Sequence, residues 1–306
     1  MTNPTLRGRF IWHELMTTDT RSAADFFTTV VGWKTQAWDQ DPSYTMFTVK
    51  GRPMAGLMAL PKDAKKTGMP PPGWLAYIGT PDVDATTRQA EARGGKVLKQ
   101  PVEIPTIGRF AIIQDPQGAM FAAFSPLQGP PSSDVSPGIG DFSWHELLTT
   151  DWRAALAFYK DLFGWEETES MDMGPEMGTY QMYGWKGRTL GGMMNKPRQR
   201  PGPPAWLSYM KVADAKKAAA TVKQLGGQII NGPMEVPGGS WIAVGLDLQG
   251  VAFAVHSAKP SPKKSKPRRA KPARRAAAPK AVKKKTPAAK KRQMKSRKRA
   301  ASRERR

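Results

Sequence analysis

The chain of 306 residues contains no cysteine, which excludes disulfides, thiolate metal sites and cysteine nucleophiles together. Histidine is scarce, with only His13, His145 and His256. No uninterrupted apolar stretch is long enough to span a bilayer, and the opening MTNPTLRGRF has no apolar run of signal-peptide length. Those absences predict a soluble cytoplasmic protein. A Gly-rich phosphate loop, a nucleophile elbow and an HExxH helix are also missing, which removes the commonest nucleotide, acyl-transfer and zinc-protease signatures.

What is abundant is positive charge, but it is confined to one place. The net charge is +23, from 48 Lys and Arg against 25 Asp and Glu. Residues 257–306 hold 23 of the basic residues and one acid, Glu304, so the remainder carries 25 basic and 24 acidic residues. The body is nearly neutral and the excess sits in a Lys/Arg/Ala/Pro-rich tail over 258–306. Such a segment buries too little apolar surface to offset the entropy of ordering, which predicts disorder.

Trp, Phe, Met and aliphatic residues are plentiful in the body, and its two halves repeat each other at a spacing of 132. Trp12-His13-Glu14-Leu15 falls on Trp144-His145-Glu146-Leu147, Gly32-Trp33 on Gly164-Trp165, and Asp115, Gln117 and Gly118 on Asp247, Gln249 and Gly250. Ordered matches across a whole half imply tandem duplication. The expected organisation is one domain over 8–128, a Pro/Gly/Ser-rich linker over 129–140, a second domain over 141–257, then the tail.

Each half alternates short strands and helices. In the second, FSWHELLTT has strand character, Asp151 is a helix N-cap, and Ala155, Leu156, Tyr159, Leu162 and Phe163 recur at helical spacing up to Gly164. A second cycle runs from WLSYMKV through a helix closed by Gly226-Gly227 to two final strands. Strand, helix, then several strands, twice per half, predicts an α+β fold of paired βαβββ units.

These motifs resemble the vicinal oxygen chelate superfamily, which includes glyoxalase I, extradiol dioxygenases and bleomycin-resistance proteins. The TTDxxxAxxFxxxxxGW segment (Thr17 to Trp33, Thr149 to Trp165) and the closing DxQGxxFA segment (Asp115 to Ala122, Asp247 to Ala254) carry the likeness. It implies two tandem domains, each a curled sheet with a concave face, and a subgroup described as glyoxalase-like. In metal-using members the ligands come from the first, central and last strands. Those positions fall here on Trp12 and Trp144, on Leu75 and Leu207, and on Ala122 and Ala254, none able to ligate a catalytic metal. No cofactor is therefore expected; a divalent metal would require a slipped strand register, as a β-bulge in the first strand would produce.

Side chains alternate along a strand, so His13 and His145 should point away from the concave face, while Glu14 and Glu146 share it with Trp12 and Trp144. A carboxylate beside a Trp in an apolar hollow is a candidate general acid or base, with a structural ion pair or backbone hydrogen bond as the alternative. His256, whose counterpart is Phe124, falls on the same predicted face as Ala254. It is a candidate acid/base partner for Glu146, or else a surface residue at a strand end. Trp74, Tyr77, Trp206 and Tyr209, with Met58 and Met194, are expected to line a hollow suited to a flat organic ligand, although aromatic strands also simply build cores.

The tail resembles those of linker histones. Lys263, Lys264, Arg268, Arg269, Arg274, Arg275, Lys283, Lys284, Lys285, Lys290, Lys291 and Arg292 are candidate phosphate contacts, for sequence-independent binding of nucleic acid. That partner implies association with the nucleoid in a bacterium, or nuclear import in a eukaryote. Two halves able to pair within one chain are compatible with a monomer. The expected function is a small organic ligand bound without metal, the alternative being a metal-dependent lyase, isomerase or dioxygenase.

Overall fold

The computed structural model describes residues 6–61, 71–128, 136–197 and 202–258. The basic tail and the twelve candidate phosphate contacts in it lie outside the described residues. No helix among the described residues is long and apolar enough to cross a membrane.

The first half begins with β1 (Phe10–Thr17), α1 (Thr20–Val31), β2 (Lys34–Trp38), β3 (Asp41–Val49) and β4 (Arg52–Ala59). It continues with β5 (Gly73–Gly79), α2 (Val83–Ala92), β6 (Lys96–Ile104), β7 (Gly108–Gln114) and β8 (Met120–Pro126). The second half repeats this as β9 (Phe142–Thr149), α3 (Trp152–Phe163), β10 (Glu166–Asp172), β11 (Thr179–Trp185) and β12 (Arg188–Asn195). It closes with β13 (Ala205–Lys211), α4 (Ala215–Gln224), β14 (Gln228–Glu235), β15 (Trp241–Leu246) and β16 (Ala252–Ser257). Each half forms one curled eight-stranded sheet, ordered β2-β3-β4-β1-β5-β8-β7-β6 and β10-β11-β12-β9-β13-β16-β15-β14. Within each βαβββ unit the first and last strands pair parallel, and the two units of a half meet through antiparallel β1–β5 or β9–β13 pairing.

The repeated Asp-to-Trp motif has a physical role at each end of its helix. Asp19 and Asp151 cap α1 and α3, accepting backbone N–H bonds from Ser22 and from Arg153 and Ala154. Gly32 and Gly164 end those helices in the left-handed region, at φ 84° and 73°, where a side chain would be strained. The next residue is a buried Trp reaching into the other half. Trp33 Nε1 donates to the Gly140 carbonyl and Trp165 Nε1 to the Gly8 carbonyl, each at 2.7 Å. The end of the expected linker is thus pinned, with Gly140 N also donating to the Lys211 carbonyl at 2.7 Å.

The cores are shared between halves. Phe26, Phe27, Trp33 and Phe47 of the first half pack with Val222, Phe253 and Val255 of the second. Reciprocally, Tyr159, Phe163 and Trp165 pack with Ile78, Ile113 and Phe121. One helix per βαβββ unit covers too little of the sheet it belongs to, and the facing half supplies the rest. Gln117 and Gln249, in the closing DxQG turns, complete the exchange. Gln249 Oε1 accepts from Thr17, Thr18 and the Asp19 amide, and its Nε2 donates to the Asp19 carbonyl. Gln117 makes the matching bonds to Thr149 and Asp151.

Candidate functional site

The opposite face of each sheet forms a cup, and strand alternation decides what enters it. On β1, Trp12 and Met16 join Leu75, Tyr77, Ala122 and Phe124 in one apolar cluster, with Glu14 among them. The β1–β5 register shifts between Phe10 and Trp12, and β9–β13 between Tyr209 and Met210. Both irregularities lie before the Trp-x-Glu stretch, so Trp12/Glu14 and Trp144/Glu146 stay on the cup side and His13/His145 on the other.

Each cup holds the same hydrogen-bonded chain. In the second, Trp144 Nε1 donates to the Tyr180 hydroxyl at 2.8 Å, and Tyr180 donates onward to Glu146 Oε2 at 3.1 Å. Tyr209 donates to that same oxygen at 3.0 Å. In the first, Tyr77 donates to Glu14 Oε2 at 2.6 Å, and Tyr44 bonds Trp12 and Glu14 as Tyr180 does their counterparts. Burial raises the Glu14 carboxyl above its ordinary range, opposed by the Tyr77 and Tyr44 hydroxyls and by Lys99. Burial and the neighbouring carboxylate push Tyr44 and Tyr77 upward, so both remain donors. Tyr180 rises for the same reasons. The cluster presents a desolvated carboxyl group, held in place by phenols, that can accept a hydrogen bond or a proton from an acidic hydroxyl or C–H group.

Tyr44 and Tyr180 were not identified from the sequence. A legible signal was glycine inside a strand. Gly56 pairs with Glu14 and Gly192 with Glu146 across adjacent strands, and a Cβ at either would collide with the Tyr44 hydroxyl or the Tyr180 ring. The missing side chain is what lets each tyrosine lie over its strand and reach the carboxylate.

Two expected lining residues are corrected. Trp74 and Trp206 precede Leu75 and Leu207 by one residue and therefore point into the shared cores, Trp74 against Phe27 and Trp206 against Tyr159. Tyr77 and Tyr209 lie in the cups, as do Met58, paired with Met16, and Met194, packed with Tyr180. His256 bonds through Nδ1 to Ser143 Oγ at 3.0 Å, and Ser143 Oγ also reaches the Tyr209 carbonyl at 3.3 Å. Burial and Lys211 lower the His256 pKa.

His13 and His145 meet each other between the halves, Nε2 to Nε2 at 2.9 Å. Phe142 stacks on His13 and Phe10 on His145, both at 3.6 Å between ring centroids. Neither imidazole reaches a cup.

A catalytic divalent metal needs about three protein ligands around an open position. Leu75 pairs directly with Glu14 and Leu207 with Glu146, while Ala122 and Ala254 pair with the two cup tyrosines. Among the described residues no three His, Asp or Glu side chains converge. One carboxylate and two phenols per cup do not fit such a metal.

The sequence matches the Glyoxalase/Bleomycin resistance protein/Dioxygenase superfamily over residues 9–123 and again over 141–255. It is 34% identical over 260 residues to the putative glyoxylase CFP32 of Mycobacterium bovis, covering 83% of this chain and 95% of that protein. It is 29% identical over 263 residues to the anthracycline biosynthesis protein DauV of Streptomyces sp. strain C5, covering 81% and 92%. Among solved structures, the Mn(II)-bound glyoxalase from Novosphingobium aromaticivorans superposes with a TM-score of 0.52 at 16% identity, covering 82% of both chains. That likeness is one of fold.

Proposed function

The chain belongs to the Glyoxalase/Bleomycin resistance protein/Dioxygenase superfamily, and within it we propose a protein that binds a small, flat organic molecule in its cup without a metal. The observation carrying this reading is the Trp–Tyr–Glu–Tyr cluster, present in both halves and surrounded by apolar side chains. Apolar walls supply contact area for a ligand, while a few fixed polar groups orient it. An anthracycline biosynthesis protein among the relatives favours a planar aromatic ligand. Any catalysis would be proton transfer by Glu14 or Glu146, since the donor set supports no metal-routed step.

Titration with quinizarin, a planar neutral dihydroxyanthraquinone, followed by quenching of tryptophan fluorescence, tests the reading. Saturable quenching that weakens in the combined Glu14→Gln, Glu146→Gln variant is expected. Absence of saturable binding overturns it.

The tail supports a second partner, nucleic acid. If about 8 of its charges engaged duplex DNA, log K would fall against log salt with a slope of roughly −7. Removal of residues 258–306 should abolish salt-sensitive retention on DNA. Unchanged retention would remove the tail from the account.

A further inference from the structure

The two cups share their polar centre but differ around it, and the differences run in one direction. Ile11 and Phe124 of the first cup correspond to Ser143 and His256 of the second. Phe110 and Met120 correspond to Ile242 and Ala252. Each change replaces a larger or apolar side chain with a smaller or polar one.

The packing follows. In the first cup a single apolar cluster runs across the sheet from Leu60 and Met16 to Phe110 and Phe124. In the second, the cup-side apolar residues divide into one cluster on β13, β15 and β16 and another on β9, β11 and β12, with Trp144 common to both. Glu14 is only 6% exposed, whereas Glu146 is half-buried. The first cup is filled by side chains of its own sheet; among the described residues the second keeps a cleft between two walls, floored by Glu146, Tyr180 and Tyr209.

We propose that the ligand occupies the second cup alone, and that the Ser143–His256 pair selects a neutral planar molecule with a hydroxyl edge; this rests on the ligand-binding reading above. Ser143 has one hydrogen, which the Tyr209 carbonyl takes at 3.3 Å. Its oxygen then accepts from Nδ1–H of His256 at 3.0 Å, which leaves Nε2 of a neutral imidazole to accept from a ligand hydroxyl. Glu146 offers a second acceptor nearby. Lys99, whose ammonium lies 5.3 Å from the Phe110 ring centroid in the first cup, corresponds to Asn231 in the second. The nearby Lys211 ammonium donates to the Pro137 carbonyl at 2.8 Å. Two acceptors and a neutral wall favour a hydroxylated neutral ligand over a carboxylate or phosphate.

The test uses the full chain and quinizarin, with stoichiometry from calorimetry and location from tryptophan quenching. One equivalent should bind, and Trp144→Phe should remove most of the quenching while Trp12→Phe leaves it. The combined Ser143→Ile, His256→Phe variant, which gives the second cup the side chains of the first, should bind about tenfold more weakly or worse. Two equivalents, or quenching carried by Trp12, would overturn the assignment to the second cup while leaving ligand binding intact. Unchanged affinity in a combined variant whose melting matches the parent would overturn the role of the pair. Binding at neither cup would sink this proposal together with the reading it rests on. The Trp substitutions locate the ligand even if the combined variant fails to fold.

Discussion

His13 and His145, the most conspicuous repeated residues of the sequence, share a single hydrogen bond of 2.9 Å between their Nε2 atoms at the junction of the two halves. His145 also bonds the Leu190 backbone, so its remaining nitrogen accepts from His13 and both rings are neutral. Burial lowers the His145 pKa to about 3, and burial with the neighbouring His145 lowers that of His13.

That pairing sets a pH dependence of definite sign. The unfolded chain takes up protons on these imidazoles below about pH 6.5, while the folded state resists them, so the unfolded state binds more protons between that value and about 3. Stability should therefore fall with decreasing pH in this window, by up to about 1.4 kcal/mol per pH unit for each histidine. Urea midpoints measured between pH 7.5 and 5 should drop for the parent and drop less for the combined His13→Leu, His145→Leu variant. Equal slopes would refute the assignment. Each single Leu substitution strands one ring nitrogen and should cost about 1–3 kcal/mol.

Tyr159 and Phe27 occupy matching positions with unequal consequences. The Tyr159 hydroxyl accepts from Trp206 Nε1 and donates to Asp115 Oδ2, each at 3.0 Å. Phe27 has no hydroxyl, and the corresponding Trp74 Nε1 and Asp247 Oδ2 are buried without partners. Phe27→Tyr should stabilise the chain by about 1–2 kcal/mol, and Tyr159→Phe should destabilise it by about 1–3 kcal/mol, read by chemical denaturation. Destabilisation by Phe27→Tyr would mean that the space between Trp74 and Asp247 cannot take the oxygen.

The crossed glutamines should matter equally in both directions. Gln249→Ala removes the acceptor shared by Thr17, Thr18 and the Asp19 amide, and Gln117→Ala does the same at Thr149 and Asp151. Each should cost about 1–2 kcal/mol, since the amide at a helix N-terminus and a buried threonine lose their partner. A melting temperature unchanged in both would show that water replaces the amide at no cost.

Gly56→Ala and Gly192→Ala place a Cβ against Tyr44 and Tyr180 and should displace these rings from their carboxylates. A loss of about 1–3 kcal/mol in stability is expected from overpacking. The accompanying phenol titration should move down towards the ordinary tyrosine range, visible by ultraviolet absorbance. Unchanged titration would show that neither ring depends on the glycine for its position.

Metal reloading tests the donor set. After incubation of the protein with manganese, iron, zinc or nickel and removal of excess, content should stay well below one ion per chain. Near-stoichiometric metal that disappears with Glu14→Ala or Glu146→Ala would restore the metal-dependent lyase, isomerase or dioxygenase alternative.

Much of this protein is written locally. The βαβββ repeat, Asp caps, helix-ending glycines and cup-side parity of Glu14 and Glu146 follow from short-range rules, because capping, left-handed φ and strand alternation each involve only a few neighbouring residues. The partners of those residues do not. Nothing adjacent in sequence tells Gln249 that it will cap a helix 230 residues away, or His13 that its hydrogen bond goes to its own repeat, or Tyr44 that a glycine on the next strand clears its path to Glu14. Trp74 shows the limit in one residue: its aromatic character suited a ligand wall, but its place in the strand sent it into a core that exists only because the two halves share it. Sequence determined which elements form and which face each side chain takes; the packing of one half on the other decided what each face meets.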